Sequence, residues 1–149
     1  MELIPSGSTL INLACTNDPS GFAQPGWMIN LIGDSTTAKS FLARTILAEC
    51  AYKFGDSHIY DHDDIEHGVF WDDAKMFGPK FAAMLEPSYD YKGEKTVENW
   101  YQHFCELYDK SKKEKRPFIS AVDSWDALRP MADYDYLKAL EAGKDKSLS

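Results

Sequence analysis

The sequence predicts an α/β fold, a mainly parallel sheet flanked by helices, in one domain spanning residues 1–149. Three observations carry this expectation. Short apolar runs of strand character alternate with longer segments of helical period. One such run leads into the glycine-started loop Gly33-Asp34-Ser35-Thr36-Thr37-Ala38-Lys39-Ser40, which opens a helical pattern. Another near-continuously apolar run ends in Asp123.

Each element follows from local chemistry. Residues 5–26 are rich in Ser, Gly, Pro, Asn and Asp and read as a short helix over 9–14, then loop. A strand is predicted over 28–32. A helix over 40–54 puts Phe41, Leu42, Ile46, Leu47 and Ala51 on one face, and Gly55 stops it. Residues 57–61 read as a second strand. A helix over about 65–77 ends at Gly78-Pro79, and 81–85 reads as a third strand broken by Glu86-Pro87. The pattern over 96–113 is a long amphipathic helix with Val97, Trp100, Tyr101, Phe104 and Leu107 inward. Arg116-Pro117 ends it, and 117–122 forms the fourth strand.

The chain has 149 residues, 44% of them hydrophobic, with four tryptophans, enough for one real core. No apolar run reaches membrane length and the start lacks a basic leader region, so a cytosolic chain is expected. Cys15, Cys50 and Cys105 are widely spaced, which argues for reduced thiols over a disulfide framework or zinc site. The net charge is −8; residues 55–95 hold ten acids against four bases, and 110–116 is the one basic cluster. Such a balance excludes nucleic-acid binding by bulk attraction.

The loop 33–40 matches the phosphate-binding pattern G-x-x-x-x-G-K-[ST], with Ala38 in place of the second glycine. Backbone N–H groups of such a loop wrap phosphates, Lys39 reaches the β and γ phosphates, and the Ser40 hydroxyl sits on Mg²⁺. The rival reading is an N-capped helix after a strand. Ala38 bears more on hydrolysis than on binding. Asp123, at the end of an apolar strand, fits the Walker B acid that holds Mg²⁺ through water. Asp61, His62, Asp63, Asp64 and Glu66 can supply a general base, although a solvated acidic turn explains the cluster alone better. His58, His62 and His67 share no helix face, which disfavours a dedicated metal site. Phe70 or Trp71 can stack on adenine, against the commoner uses of core packing or plain exposure. The cluster 110–116 reads as a solvated helix end.

In this order the motifs resemble the ATPase core of the RecA-type recombinases, of a phage-type relative. Five segments carry the resemblance: residues 4–12 (IPSGSTLIN), 26–30 (GWMIN), the loop 33–40, 59–63 (IYDHD) and 122–128 (VDSWDAL). Leu85-Glu86-Pro87 before a long helix adds to it. The resemblance implies a RecA-like P-loop fold, ATP and Mg²⁺ as ligands, Lys39 and Ser40 on phosphate and metal, and Asp123 as the Walker B acid. It places Asp63 at the catalytic glutamate and Phe70 near the adenine-packing aromatic. It equates 131–149 with the first DNA-binding loop and the start of the next helix, and so implies that the chain is the N-terminal part of such a core. Single-stranded DNA, recombination and repair, and assembly into a homo-oligomer or filament are implied for the complete family member. Two residues depart from the pattern: Ala38 replaces glycine, and Asp63 replaces glutamate and is one methylene shorter.

The expected function is therefore an ATP-binding ATPase core with weak activity in this form. The alternative is a degenerate nucleotide-binding or scaffold protein without turnover, which the truncation, Ala38 and Asp63 favour. A small P-loop kinase is disfavoured because its lid usually brings arginines, and the chain has only Arg44, Arg116 and Arg129.

Overall fold

A computed structural model describes residues 2–87, 89, 91 and 95–145, with 141–145 described by backbone alone. It is a mixed α/β arrangement with a small two-stranded parallel sheet between helices. The element order is α1 (Thr9–Thr16), α2 (Lys39–Phe54), β1 (Ile59–Asp64), α3 (Asp73–Phe77), α4 (Pro79–Met84), α5 (Val97–Glu114), β2 (Phe118–Asp123) and α6 (Met131–Asp145). Among the described residues no helix is long and apolar enough to cross a membrane.

The helices begin where capping chemistry allows. Ser8 caps α1 through Ile11 N–H, and the Thr96 hydroxyl caps α5 through Asn99 N–H at 3.1 Å. Helix α2 buries Arg44, Leu47, Ala48 and Ala51, spaced as one helical face. That face meets Tyr60 and Phe81 in the core cluster, with Ile119 and Ala121 packed alongside. The Tyr60 hydroxyl donates to the carbonyls of Cys50 and Gly55, tying β1 to the end of α2. Burial pushes the Cys50 thiol up to about 12, so it is an inert core group.

Parallel register pairs Tyr60 with Ile119, His62 with Ala121 and Asp64 with Asp123. Side chains alternate across a strand. Tyr60, His62, Asp64, Ile119, Ala121 and Asp123 therefore share the α2 face. Ile59, Asp61, Asp63, Phe118, Ser120 and Val122 share the α5 face. Phe118 meets Phe104 of α5 edge-on at 5.7 Å between ring centroids.

Four expectations about elements are corrected. The expected strand over 81–85 is helix α4: Pro79 sits in the first turn after Gly78, where its missing N–H costs nothing. Only Leu85 keeps strand-like pairing, bridging Tyr60 in parallel. The expected helix over 65–77 shortens to α3. The Asp64 carboxylate accepts from Gly68 and Val69 N–H groups, which closes a turn, and the helix starts only at Asp72, whose side chain caps it. The expected strand over 28–32 pairs with nothing among the described residues. Met28 is 100% exposed and Ile32 is 88% exposed. Apolar sequence makes a strand only where a neighbouring edge takes its backbone bonds. The second strand begins at Ile59, two residues later than expected, and runs to Asp64.

Candidate nucleotide site

Loop 33–40 sets up the N-terminus of α2. Thr36 and Ala38 lie in the left-handed region, at φ 65° and 63°. Ala38 occupies the position before the helix, at ψ 27°, with no side-chain cap. The left-handed residues curl the loop so that successive N–H groups face one side. Among the described residues, the backbone N–H groups of Ser35, Thr36, Ala38, Lys39, Ser40 and Phe41 donate to nothing; the first bonded one is Leu42, to the Ala38 carbonyl. Unbonded N–H groups at a helix N-terminus form an anion site.

The Lys39 ammonium folds back on the loop, donating to the carbonyls of Gly33 and Asp34 at 2.8 Å each. Thr37 Oγ1 donates to the Asp34 carbonyl at 2.8 Å. Gly33 is needed for close approach, because a Cβ there would lie 2.8 Å from Thr37 Oγ1. Lys39 also lies near the turn after β2. The Asp126 carboxyl is held below its ordinary range by the Ser124 hydroxyl first, with the Lys39 charge a smaller contribution. The Asp123–Ser124 peptide is cis.

Asp123 ends β2 on the α2 face, and its carbonyl accepts from Ile65 N–H at 2.6 Å. No side-chain hydrogen bond engages the Asp123 carboxylate or the Ser40 hydroxyl among the described residues. One hydroxyl and one carboxylate are hard oxygen donors and fit Mg²⁺.

Asp63 faces α5. It is 3% exposed and accepts a hydrogen bond from the Tyr91 hydroxyl. Burial pushes its carboxyl up, against the opposing pull of Tyr91, His103 and Lys95. Its neighbour on that face, Asp61, accepts from His103 at 3.2 Å and from the Ser120 hydroxyl at 2.6 Å. His103 is raised despite burial, because the Asp61 hydrogen bond and charge outweigh desolvation. Phe70 is 91% exposed and touches Trp71 edge-on. Trp71 packs on Phe41 of α2, and the next segment is fixed there by a two-pronged Arg44–Asp73 ion pair at 3.0 Å. Residues 146–149 of the segment equated with a DNA-binding loop lie outside the described residues; 131–145 form α6.

Sequence reasoning missed Arg44, His103 and Ser120. His103 was within reach: it lies three residues after Trp100 and four before Leu107, on the inner face of the long helix. Three acids in one strand, Asp61, Asp63 and Asp64, required buried partners of this kind. No family model, curated protein or solved structure matches the chain.

Proposed function

We propose that the chain is a RecA-like nucleotide-binding domain that holds ATP with Mg²⁺ at loop 33–40 and hydrolyses it slowly. The observation that carries this reading is the set of unbonded N–H groups of Ser35, Thr36, Ala38, Lys39, Ser40 and Phe41 at the start of α2. A set of this kind binds the β and γ phosphates through charge-assisted hydrogen bonds. Gly33, Asp34 and Thr37 shape the loop, and Lys39 exchanges its two carbonyl acceptors for phosphate oxygens. Ser40 and, through water, Asp123 hold Mg²⁺, which neutralises phosphate charge when bound. Phe70 is free to cover a base from the solvent side. ATP-dependent recombination or repair on single-stranded DNA, in an assembled filament and a cytosolic setting, is the role that the RecA resemblance attaches to such a domain.

Calorimetry with ATP and Mg²⁺ tests the proposal. The chain should bind, and Lys39→Ala should weaken binding by about 10- to 100-fold, the loss of a charge-assisted bond of roughly 1.5–3 kcal/mol. Absence of heat and of any thermal shift would end this reading.

A further inference from the structure

His62 is a buried histidine to which the proposed site gives no role so far. It is on the α2 face of β1, shared with Asp123, whereas the Asp63 carboxylate at the same cleft is taken up by the Tyr91 hydroxyl. The His62 ring is buried, with the residue 4% exposed, yet neither Nδ1 nor Nε2 has a hydrogen-bond partner among the described residues. A buried polar group without a partner costs free energy unless something fills its valence. The ring lines a cleft of about 570 Å³ together with Arg44, Asp63, Asp64, Trp71 and Lys95.

Arg44 belongs to the same feature. It follows Ser40 by four residues on α2, so the two share a face. Its Nε and Nη2 bind Asp73, and Nη1 is left buried and unpartnered. Arg44, one helical turn after Ser40 along α2, is thus part of the cleft wall. The cleft offers one donor from Arg44 and a donor and an acceptor from a neutral imidazole.

We propose that His62, and not Asp63, takes the proton of the attacking water, with Arg44 Nη1 positioning that water. The inference rests on the ATP reading above. One imidazole nitrogen accepts the water proton as the water oxygen bonds to the γ phosphorus. The bond from that phosphorus to the β–γ bridging oxygen breaks, and ADP leaves with the electron pair. The imidazolium then returns its proton to the released inorganic phosphate. Burial, aided by the Arg44 charge, holds the imidazole below its ordinary pKa, against Asp123, Asp64 and Asp61. Asp63, His67, Asp73, Tyr91 and Lys95 are other titratable groups on the cleft wall. A base neutral at physiological pH is what the step requires.

Single-turnover release of inorganic phosphate from Mg²⁺-ATP, with binding measured in parallel by calorimetry, tests this on the full chain. His62→Gly and His62→Gln should each slow release by at least about 100-fold, the usual size of a general-base contribution. Their ATP affinity should stay within about threefold of the parent, under 1 kcal/mol. Added imidazole should restore His62→Gly and leave His62→Gln slow, a rescue that a merely structural histidine would not give. Asp63→Asn should keep most of the rate. Should His62→Gly fail to fold, the rate of His62→Gln decides. Unchanged release in the histidine variants, failure of rescue in folded His62→Gly, loss of release in Asp63→Asn, or a parent chain that binds ATP without cleaving it would overturn the assignment. A parent chain that does not bind ATP would instead remove the ATP reading itself, and this inference with it.

Discussion

Replacing Ala38 with glycine should stabilise the protein, the reverse of what glycine does within a helix. Ala38 precedes α2 at φ 63° and ψ 27°, where its Cβ crowds the following carbonyl. An L-residue other than glycine sits there at a cost of about 1–2 kcal/mol. Glycine removes that cost but adds unfolded-chain freedom worth about 0.4–1 kcal/mol. The difference leaves a net gain of roughly 0.5–1 kcal/mol. For a chain of this size that is a rise in Tm of about 1–4 °C. Ligand-free thermal melts read this directly, since no bound nucleotide then adds to the stability. In the proposed site the same change takes a methyl from the loop that faces phosphate, so ATP binding should tighten. A Tm that stays level or falls would refute the reasoning, because an ordinary helical position would lose about 0.5–1 kcal/mol on gaining glycine.

Three further outcomes are expected. Gly33→Ala should weaken ATP binding by about tenfold, some 1.4 kcal/mol, by driving Cβ into Thr37 Oγ1, and adding Thr37→Ala should recover most of it in calorimetry. The His103–Asp61 contact should couple stability to pH. His103 has a folded pKa above its unfolded value, so its contribution is full below about pH 6.5 and fades as pH rises through the folded value. The Tm gap between the parent and His103→Gln should therefore be widest at low pH and shrink on the alkaline side; a gap that widens with pH would contradict the raised value. Fluorescence anisotropy should find weak single-stranded DNA binding at physiological salt, because a net charge of −8 gives no attraction to phosphates, and submicromolar affinity would contradict this.

The long periodic segments were legible from sequence, because helix period and capping are local properties. Helices α2 and α5 lie within a few residues of their expected ends, and Gly55 and Thr96 do the terminating and capping. The apolar run into Asp123 is a strand, paired in parallel as expected. What failed were short apolar segments whose fate depends on neighbours. Residues 28–32 and 81–85 carry the same kind of local signal, and the outcome turned on an available sheet edge for one and on Pro79 for the other. The loop 33–40 stood out in the sequence because its spacing encodes a tight backbone turn, and the structure curls it there, with Thr36 and Ala38 left-handed. The left-handed conformation of Ala38 is a finding of the structure alone. The polar wiring was less accessible. Asp61, Asp63 and Asp64 are adjacent in sequence, yet strand alternation sends Asp64 toward α2 and the other two toward α5. Their partners His103, Ser120 and Tyr91 lie 28–59 residues away. The Arg44–Asp73 pair joins segments 29 residues apart that carry no shared pattern.

Backbone amide chemical shifts during titration with Mg²⁺-ATP test the central claim most directly, since the claim concerns particular N–H groups. Saturable shifts should be largest at Ser35, Thr36, Ala38, Lys39, Ser40 and Phe41, and should disappear in Lys39→Ala at the same ligand concentration. Shifts concentrated on another face of the molecule, or none at millimolar ATP, would contradict it.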